Sequence, residues 1–197
     1  MPKKRSQPAA KRELHSADVE WISPAVNLAL YATPSTSFVS GNESLDAIND
    51  GFEPRNSRDH SHGAYGNWPR TGTQWVQYDW SQPIATKSAA VYWQDGQGIH
   101  LPAAARLQYW DGAAFKPVPA SANGAVAVAP NTYNTLTFDE IKTTRLRLEI
   151  DADGANSTGI LEWKVFDDGN SPKFPPRVAA GEERTVVLPG KTYLAAN

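Results

Sequence analysis

The sequence has no cysteine and no long apolar stretch. Without cysteine, the chain cannot form disulfide bonds, zinc–thiolate sites or iron–sulfur clusters, and it cannot use a thiol nucleophile. No apolar run approaches the roughly 20 residues that span a bilayer, so we expect no membrane insertion. The basic residues 1–12 are not followed by the apolar segment of a secretory signal. If the parent protein is exported, we expect its signal to lie outside this chain.

Three kinds of catalytic motif are also missing. The G-x-S-x-G motif of serine hydrolases does not occur. The segment 96–98 (GQG) lacks the further glycine and the helix of a phosphate-binding loop. Acidic residues are plentiful, but no two of them form a recognisable pair of the kind that hydrolyses glycosides. We therefore predict a domain that has no catalytic activity of its own.

The charges are unevenly distributed. Five of the 19 basic side chains lie in residues 1–12, which contain no acidic residue, so the rest of the chain holds 14 basic and all 21 acidic side chains. A basic segment attached to an acidic domain can indicate nucleic-acid binding. The domain itself lacks a basic stripe that would follow a phosphate backbone. We expect a solvated, disordered leader over residues 1–23 and no nucleic-acid partner.

Composition divides the remainder into two parts. Residues 24–170 hold six of the seven tryptophans and nearly all turn signals, and we predict that they form one domain. The proline-rich start of 171–197 is typical of a stiff linker. Residues 177–197 resemble the opening of an Ig-like or PKD-like module, which would make the chain a fragment of a longer protein. Alternatively, this segment folds back as an edge strand of the main domain.

Short stretches rich in β-branched and aromatic residues recur through the central part, each bounded by Gly, Pro, Asn or Asp. In 144–150, Leu146, Leu148 and Ile150 alternate with charged residues, which is typical of a strand with one face in water. Helical signal is confined to 43–49. Many short strands with glycine-rich connections predict an all-β, antiparallel β-sandwich or jelly roll. The predicted strands are 27–32, 73–80, 88–94, 105–111, 133–139, 144–150 and 159–166.

Several segments also follow the order and spacing of a known family. They are NLALYATPSTSF (27–38), LDAINDG (45–51), WPRTGTQWVQYDW (68–80), VYWQDGQGIHLPAAARLQYWDG (91–112), NTLTFDEIKTTRLRLEI (134–150) and STGILEWKVF (157–166). Over residues 25–167 the chain resembles a discoidin-like (coagulation factor type C) domain, a family that includes the family 32 carbohydrate-binding modules. The resemblance is greatest to the form appended to bacterial glycoside hydrolases such as β-L-arabinofuranosidases. It implies a galactose-binding-domain-like jelly roll.

The resemblance implies a function as well. We expect a carbohydrate-binding module that targets a secreted or cell-surface bacterial glycoside hydrolase to plant-type or microbial polysaccharide. Its partners would be an oligo- or polysaccharide and the adjacent domains of the parent chain. The same fold also serves as a ligand-free spacer packed on a catalytic domain, or as a cell-surface adhesion module, so these alternatives stay open.

A structural calcium ion is a further implication of the resemblance. The family's loop aspartate maps onto Asp50 and its C-terminal carboxylate onto Glu162. Backbone carbonyls near Ala47 and Phe52 would add ligands, with Ser57 as a further hydroxyl or carbonyl ligand, although Ser57 is farther from Asp50 than in the family. Calcium takes six to eight hard oxygen ligands, and such an ion would hold the surrounding loops together. Alternatively, Asp50 caps a turn and Glu162 pairs with an arginine.

The loop 55–70 concentrates side chains that suit a sugar. An aromatic ring matches the apolar C–H face of a sugar, and polar groups match its hydroxyls. Tyr65 and His60 are our preferred contacts, whereas Trp68 could instead plug the end of the sandwich. His60 and His62 alternatively suggest a zinc or copper site. The predicted carbohydrate-binding residues are His60, Tyr65, Trp68, Arg70, Trp93, Asp95 and His100, and the tryptophans assigned to packing are Trp75, Trp80, Trp110 and Trp163.

Overall fold

The computed structural model describes residues 25–120 and 122–175, so the predicted leader and the module-like segment 177–197 lie outside the described residues. The described part contains eight β-strands and two short 3₁₀ helices. It contains no helix with the length and apolar character needed to cross a membrane. The helices are Leu28–Tyr31 and Leu45–Asn49, and the strands are β1 (Thr33–Thr36), β2 (Tyr65–Gly66), β3 (Thr73–Trp93), β4 (Ile99–His100), β5 (Ala104–Trp110), β6 (Phe115–Pro117), β7 (Tyr133–Asp151) and β8 (Ser157–Asp167).

The long strands β3 and β7 run through both layers of an antiparallel β-sandwich. In one layer, the first half of β3 pairs with β1 and with the second half of β7, which pairs with β5, and β5 pairs with β6. In the other, the second half of β3 pairs with the first half of β7 and with β8, and β8 pairs with β2. Register shifts interrupt β3 between Asp79 and Ile84, where its two halves join. Only β4 pairs in parallel, with β8, among the described strands. The predicted fold class is confirmed.

The core lies between the two layers. The alternation predicted for 144–150 is confirmed, because Leu146, Leu148 and Ile150 are completely buried. Full burial of such a side chain stabilises the fold by about 1.5–3 kcal/mol. Tyr78 of β3 stacks on Trp163 of β8, with ring centroids 4.2 Å apart and an interplanar angle of 15°. This stacking joins the two layers directly.

The four tryptophans assigned to packing lie in two different environments. Trp80 and Trp163 belong to the core, as predicted. Trp75 and Trp110 are only half-buried, on the outer face of the β3–β7–β5 layer. The guanidinium carbon of Arg147 lies 4.4 Å from the ring centroid of Trp75. Arginine stacking therefore replaces core packing on this face.

Two features of the predicted secondary structure need correction. Residues 27–32 were expected to form a strand, but Leu28–Tyr31 is a 3₁₀ helix. The side chain of Asn27 caps this helix by accepting a hydrogen bond from the N–H of Ala29 at 3.1 Å, which favours a turn over an extended chain. The predicted segments are also merged into longer strands: 73–80 and 88–94 both belong to β3, and 133–139 and 144–150 both belong to β7. The short helical turn expected within 43–49 is confirmed by the 3₁₀ helix at Leu45–Asn49.

The first residues of the predicted linker contact the sandwich. The hydroxyl of Ser171 accepts a hydrogen bond from the N–H of Ala85 at 2.9 Å. The ring of Phe174 stacks on Tyr31 with centroids 4.9 Å apart. Residues 171–175 therefore extend the domain before any free linker begins.

Candidate functional site

The loop that carries His60 is held by a buried carboxylate. Asp59 accepts hydrogen bonds from the Nε of Arg55 at 2.7 Å, from the N–H of Arg55 at 3.1 Å and from the hydroxyl of Ser61 at 2.7 Å. The Arg55 guanidinium and the Ser61 hydroxyl hold the pKa of Asp59 well below its usual range. An ionised carboxylate with several donors fixes the loop and thereby positions His60.

Trp68 stands out from the surface beside this loop. Its side chain is 60% exposed, although it follows the completely buried Asn67, which is bonded to β8. The next polar residue, Arg70, donates its N–H to the carbonyl of Asn67 at 2.7 Å and stacks on Phe38, with the guanidinium carbon 4.7 Å from the ring centroid. A buried anchor therefore holds an exposed indole on the surface.

His60 and Trp68 border one cavity of about 330 Å³. Its volume is at the lower end of the range for small-molecule sites. The indole supplies a flat apolar face, and most of the other lining groups are polar. The remaining lining residues are Ser40, Asn42, Glu43, Gly63, Gln97 and Ile99.

Several polar atoms around this cavity are buried without hydrogen-bond partners in the described residues. They are the Nε2 of His60 and both amide atoms of Gln94. Glu43 lies beside both residues; burial raises the pKa of its carboxyl, while the neighbouring His60 and then Gln94 act in the opposite direction. Buried polar groups usually have partners because leaving one unsatisfied costs about 1–3 kcal/mol. Of these two residues only His60 lines the cavity, and a ligand rich in hydroxyl groups would offer a partner to its ring.

Tyr65 and Trp93, both expected to contact sugar, lie in the core instead. Neither exposes any of its side chain. The Tyr65 hydroxyl donates to the carbonyl of Phe38 at 3.0 Å and lies 3.1 Å from the hydroxyl of Thr36. The indole of Trp93 donates to the carbonyl of Ala127 at 2.8 Å. Both residues support the scaffold, and their rings do not reach a surface ligand.

Asp95 and His100 do not line the cavity of Trp68. Asp95 borders a separate cavity of about 410 Å³ together with Ser57, Arg58 and Asn131. His100 is exposed on β4, opposite Thr158 of β8. Of the seven predicted residues, the structure brings His60 and Trp68 to one cavity, with Arg70 nearby in the chain.

The sequence analysis selected neither Glu43, which lines the cavity, nor Gln94 beside it, and it also did not select the other polar lining residues, Ser40, Asn42 and Gln97. Glu43 was considered only as part of a short helical turn, and Gln94 only as the end of a strand. The polar stretch 40–43 (SGNE) after Phe38 was an available signal. Its position beside Trp68 depends on tertiary hydrogen bonds, from the N–H of Ser40 to the carbonyl of Gly66 at 2.8 Å and from the N–H of Ser44 to the carbonyl of Ala64 at 2.9 Å.

The predicted calcium ligands centre on Glu162, a buried carboxylate. Its side chain is completely buried, and neither carboxylate oxygen has a hydrogen-bond partner in residues 25–120 and 122–175. Burial, and then the nearby charge of Asp50, raise the pKa of Glu162 to about 9. The expected alternative, an arginine paired with Glu162, does not occur among the described ion pairs. A buried, unpaired carboxylate is the kind of group that a cation would neutralise.

Asp50 ends the second 3₁₀ helix and faces the same region. It is exposed, and its carboxylate accepts the N–H of Phe52 at 2.7 Å, as the turn-capping alternative required. Ala47 is buried within the helix and Phe52 is half-buried. One capping bond leaves lone pairs on Asp50 for a cation. Two carboxylates beside loop carbonyls fit the ligand chemistry of calcium.

Ser57 is engaged elsewhere. Its N–H donates to the side chain of Asn131 at 2.9 Å, its hydroxyl accepts from the N–H of Asn131 at 2.7 Å, and its carbonyl accepts from the N–H of Asp95 at 2.8 Å. These bonds tie Ser57 to the loops around Asn131 and Asp95. We therefore leave Ser57 out of the candidate ligand set.

The alternative zinc or copper site at His60 and His62 finds no support in the geometry. The ring of His62 stacks on Phe52 with centroids 4.0 Å apart, whereas His60 faces the cavity of Trp68. The described residues contain no group of three His, Cys, Asp or Glu side chains that could hold a metal ion. A calcium site with two carboxylates and backbone carbonyls would be of a different type.

Comparison with solved structures identifies the architecture. A family 32 carbohydrate-binding module of NanJ from C. perfringens, in complex with galactose, superposes with a TM-score of 0.58 at 15% sequence identity, covering 73% of this chain and 98% of that one. The fold is that of a family 32 carbohydrate-binding module. Chitosan-binding module 1 of a chitosanase/glucanase from Paenibacillus sp. IK-5 has the same architecture, with a TM-score of 0.55, 14% identity and coverage of 72% and 98%.

Whole enzymes also contain this fold. A GH29 fucosidase of Ruminococcus gnavus matches with a TM-score of 0.53 at 12% identity, and the match covers 74% of this chain but 27% of the fucosidase. No family model and no curated protein matches the sequence. At these identities the comparisons show the fold, and the function is argued from the site.

Proposed function

We propose that this chain is a non-catalytic carbohydrate-binding module that targets a secreted bacterial glycoside hydrolase to plant-type or microbial polysaccharide. The observation that carries the proposal is the exposed indole of Trp68, 60% accessible, beside a cavity that it shares with His60. The unpartnered Nε2 of His60 and the polar side chains of Asn42, Glu43 and Gln97 that line the cavity supply hydrogen-bonding capacity for sugar hydroxyls.

The neighbouring structures support this proposal by their chemistry. The NanJ module is described in complex with galactose, and the Paenibacillus module as chitosan-binding. The fucosidase carries the fold as about a quarter of its length, which is the arrangement of an accessory domain. In this proposal the catalytic domain belongs to the parent protein, and this chain supplies attachment.

Attachment through one small site is weak. An affinity on the order of 0.01–1 mM corresponds to about 4–7 kcal/mol. Tethering to a catalytic domain converts weak binding into a high effective concentration of enzyme at the polymer.

A structural calcium ion is part of the proposal. Asp50 and Glu162 would be its carboxylate ligands, with carbonyls near Ala47 and Phe52. Its role would be to neutralise the buried Glu162 and fix the 47–52 loop, and it would take no part in chemistry.

Affinity electrophoresis tests the proposal on polysaccharides selected by a glycan array. The wild type should be retarded, and Trp68→Ala should migrate freely, because the sugar loses its stacking platform; the expected loss of affinity is at least about tenfold. Trp110→Ala, at a half-buried tryptophan on the outer face, is the matched control and should keep full retardation. Equal retardation of all three proteins would contradict the site, and no retardation of the wild type would favour a spacer domain.

A further inference from the structure

A second polar cavity lies next to the cavity of Trp68. Its volume is about 410 Å³. The two cavities have no lining residue in common, and the proposed function makes no use of the second one. The residues that line this second cavity are Asn56, Ser57, Arg58, Asp95, Pro130 and Asn131.

The same two loops border both cavities. Along each loop, the residue that lines the second cavity and the residue that lines the Trp68 cavity are two positions apart. These pairs are Arg58 and His60 on one loop, and Asp95 and Gln97 on the other. Two residues of a chain span at most about 7 Å. The N–H of Asp95 donates to the carbonyl of Ser57 at 2.8 Å and holds the loops together. The cavities are therefore neighbours along the line where the two loops meet.

The guanidinium of Arg58 is fixed at the second cavity. Its Nε donates to the carbonyl of Asp95 at 3.2 Å. Its stem packs on Gly96, where a Cβ would be 3.0 Å from the Cγ of Arg58. None of the described ion pairs includes Arg58. A guanidinium has five N–H donors, so the terminal amino groups remain for a ligand.

The other polar groups of this cavity supply an acceptor and further donors. The carboxylate of the half-buried Asp95 also takes part in no ion pair of the described residues. The side-chain oxygens of Asn56 and Asn131 each accept one backbone N–H, both at 2.9 Å. Both amides therefore keep their NH₂ groups as donors to a ligand.

This combination favours a neutral ligand that carries hydroxyl groups. A cation would meet the guanidinium of Arg58, and an anion would meet the carboxylate of Asp95. A hydroxyl group both donates and accepts hydrogen bonds, so two neighbouring hydroxyls of a sugar can satisfy the carboxylate and the guanidinium together. The exposed ring of Pro130 adds an apolar surface for the C–H groups of the sugar.

We propose that the second cavity is a subsite for the sugar residue next to the one on Trp68, so that the module binds a neutral oligosaccharide along the line where the two loops meet. The inference rests on the proposed function and deepens it. The Trp68 cavity holds one residue of the sugar chain, and Arg58 and Asp95 form charge-assisted hydrogen bonds with the hydroxyls of its neighbour. Affinity then depends on the length of the sugar chain.

The test is an NMR titration with neutral β-1,4-linked oligomers of galactose, glucose and xylose, from one to four residues long. In at least one series, the wild type should bind the oligomers at least about tenfold more tightly than the monosaccharide. Arg58→Ala and Asp95→Ala should each remove most of this gain, because the second sugar residue loses its hydrogen bonds. Lys142→Ala removes a positive charge from an exposed residue of β7 and should keep the gain.

The outcomes separate the two proposals. Equal affinity of the wild type for monosaccharides and oligomers, or a gain with length that persists in both Arg58→Ala and Asp95→Ala, would overturn the inference while leaving the Trp68 site standing. Failure to bind any of the three series would also overturn it. Loss of the proposed function would show differently, as absence of binding to every polysaccharide of the array. A thermal melt of each variant confirms that it is folded.

Discussion

Asn67 and Thr158 are joined by three hydrogen bonds that continue the pairing of β2 with β8. The Asn67 amide donates to the Thr158 hydroxyl at 2.8 Å, the Thr158 N–H donates to the Asn67 side-chain oxygen at 2.9 Å, and the Asn67 N–H donates to the Thr158 carbonyl at 3.1 Å. Both residues are buried, and Trp68 follows directly. This pair fixes the base of the segment that presents the indole.

Removing this anchor should cost both stability and binding. Asn67→Ala deletes two of the three bonds and leaves the Thr158 N–H unsatisfied, so we expect the free energy of unfolding to fall by about 1–3 kcal/mol. Urea denaturation measures the loss. Sugar affinity should fall in parallel, because Trp68 is no longer held. Asn170→Ala changes an exposed asparagine and should stay within about 0.5 kcal/mol; equal stability of the two variants would contradict the anchor.

Tyr65 should behave as a core residue. Tyr65→Phe removes its hydroxyl bonds and should lower the free energy of unfolding by about 0.5–1.5 kcal/mol, while Tyr65→Ala should lower it by about 3–5 kcal/mol because it empties a buried site. Denaturation curves give both values. The Phe variant should bind sugar as the wild type does. Loss of binding in Tyr65→Phe at unchanged stability would return Tyr65 to the binding surface.

The proposed calcium ion should stabilise the fold through Glu162. A chelator should lower the melting temperature of the wild type, and added calcium should restore it, because bound ligand favours the native state. Glu162→Gln and Asp50→Asn should remove this response. Ser57→Ala should be less stable with or without calcium, since the Asn131 N–H loses its acceptor, but it should keep the response. A wild type that is indifferent to chelator would end the calcium proposal.

The fold could be predicted because its signals are local. The alternation of Leu146, Leu148 and Ile150 with charged residues follows directly from a strand with one buried face. The continuity of β3 through both layers could not be predicted in this way, since the polar stretch around Gln82 and Pro83 has the composition of a turn. Register shifts absorb that stretch within one strand.

The site could be predicted only in part. Trp68 and His60 stand in a polar loop, and an exposed tryptophan there was a hypothesis that the sequence could supply. Tyr65 stands in the same loop, but it forms the two-residue strand β2, whose pairing with Ile160 leaves no periodic signal. Glu43 was not predicted as a site residue, because nothing near it in the chain indicates that its segment is hydrogen-bonded to Gly66. Burial and long-range pairing, which decide these cases, are properties of the folded chain.

The most direct test of the account is an NMR titration that follows the indole N–H resonances of the tryptophans with the best sugar of the array. The indole resonance of Trp68 should shift with ligand concentration, and those of the buried Trp93 and Trp163 should stay in place. An unmoved Trp68 resonance, with shifts confined to Trp75 and Trp110 on the outer face, would place the binding surface elsewhere and contradict the account.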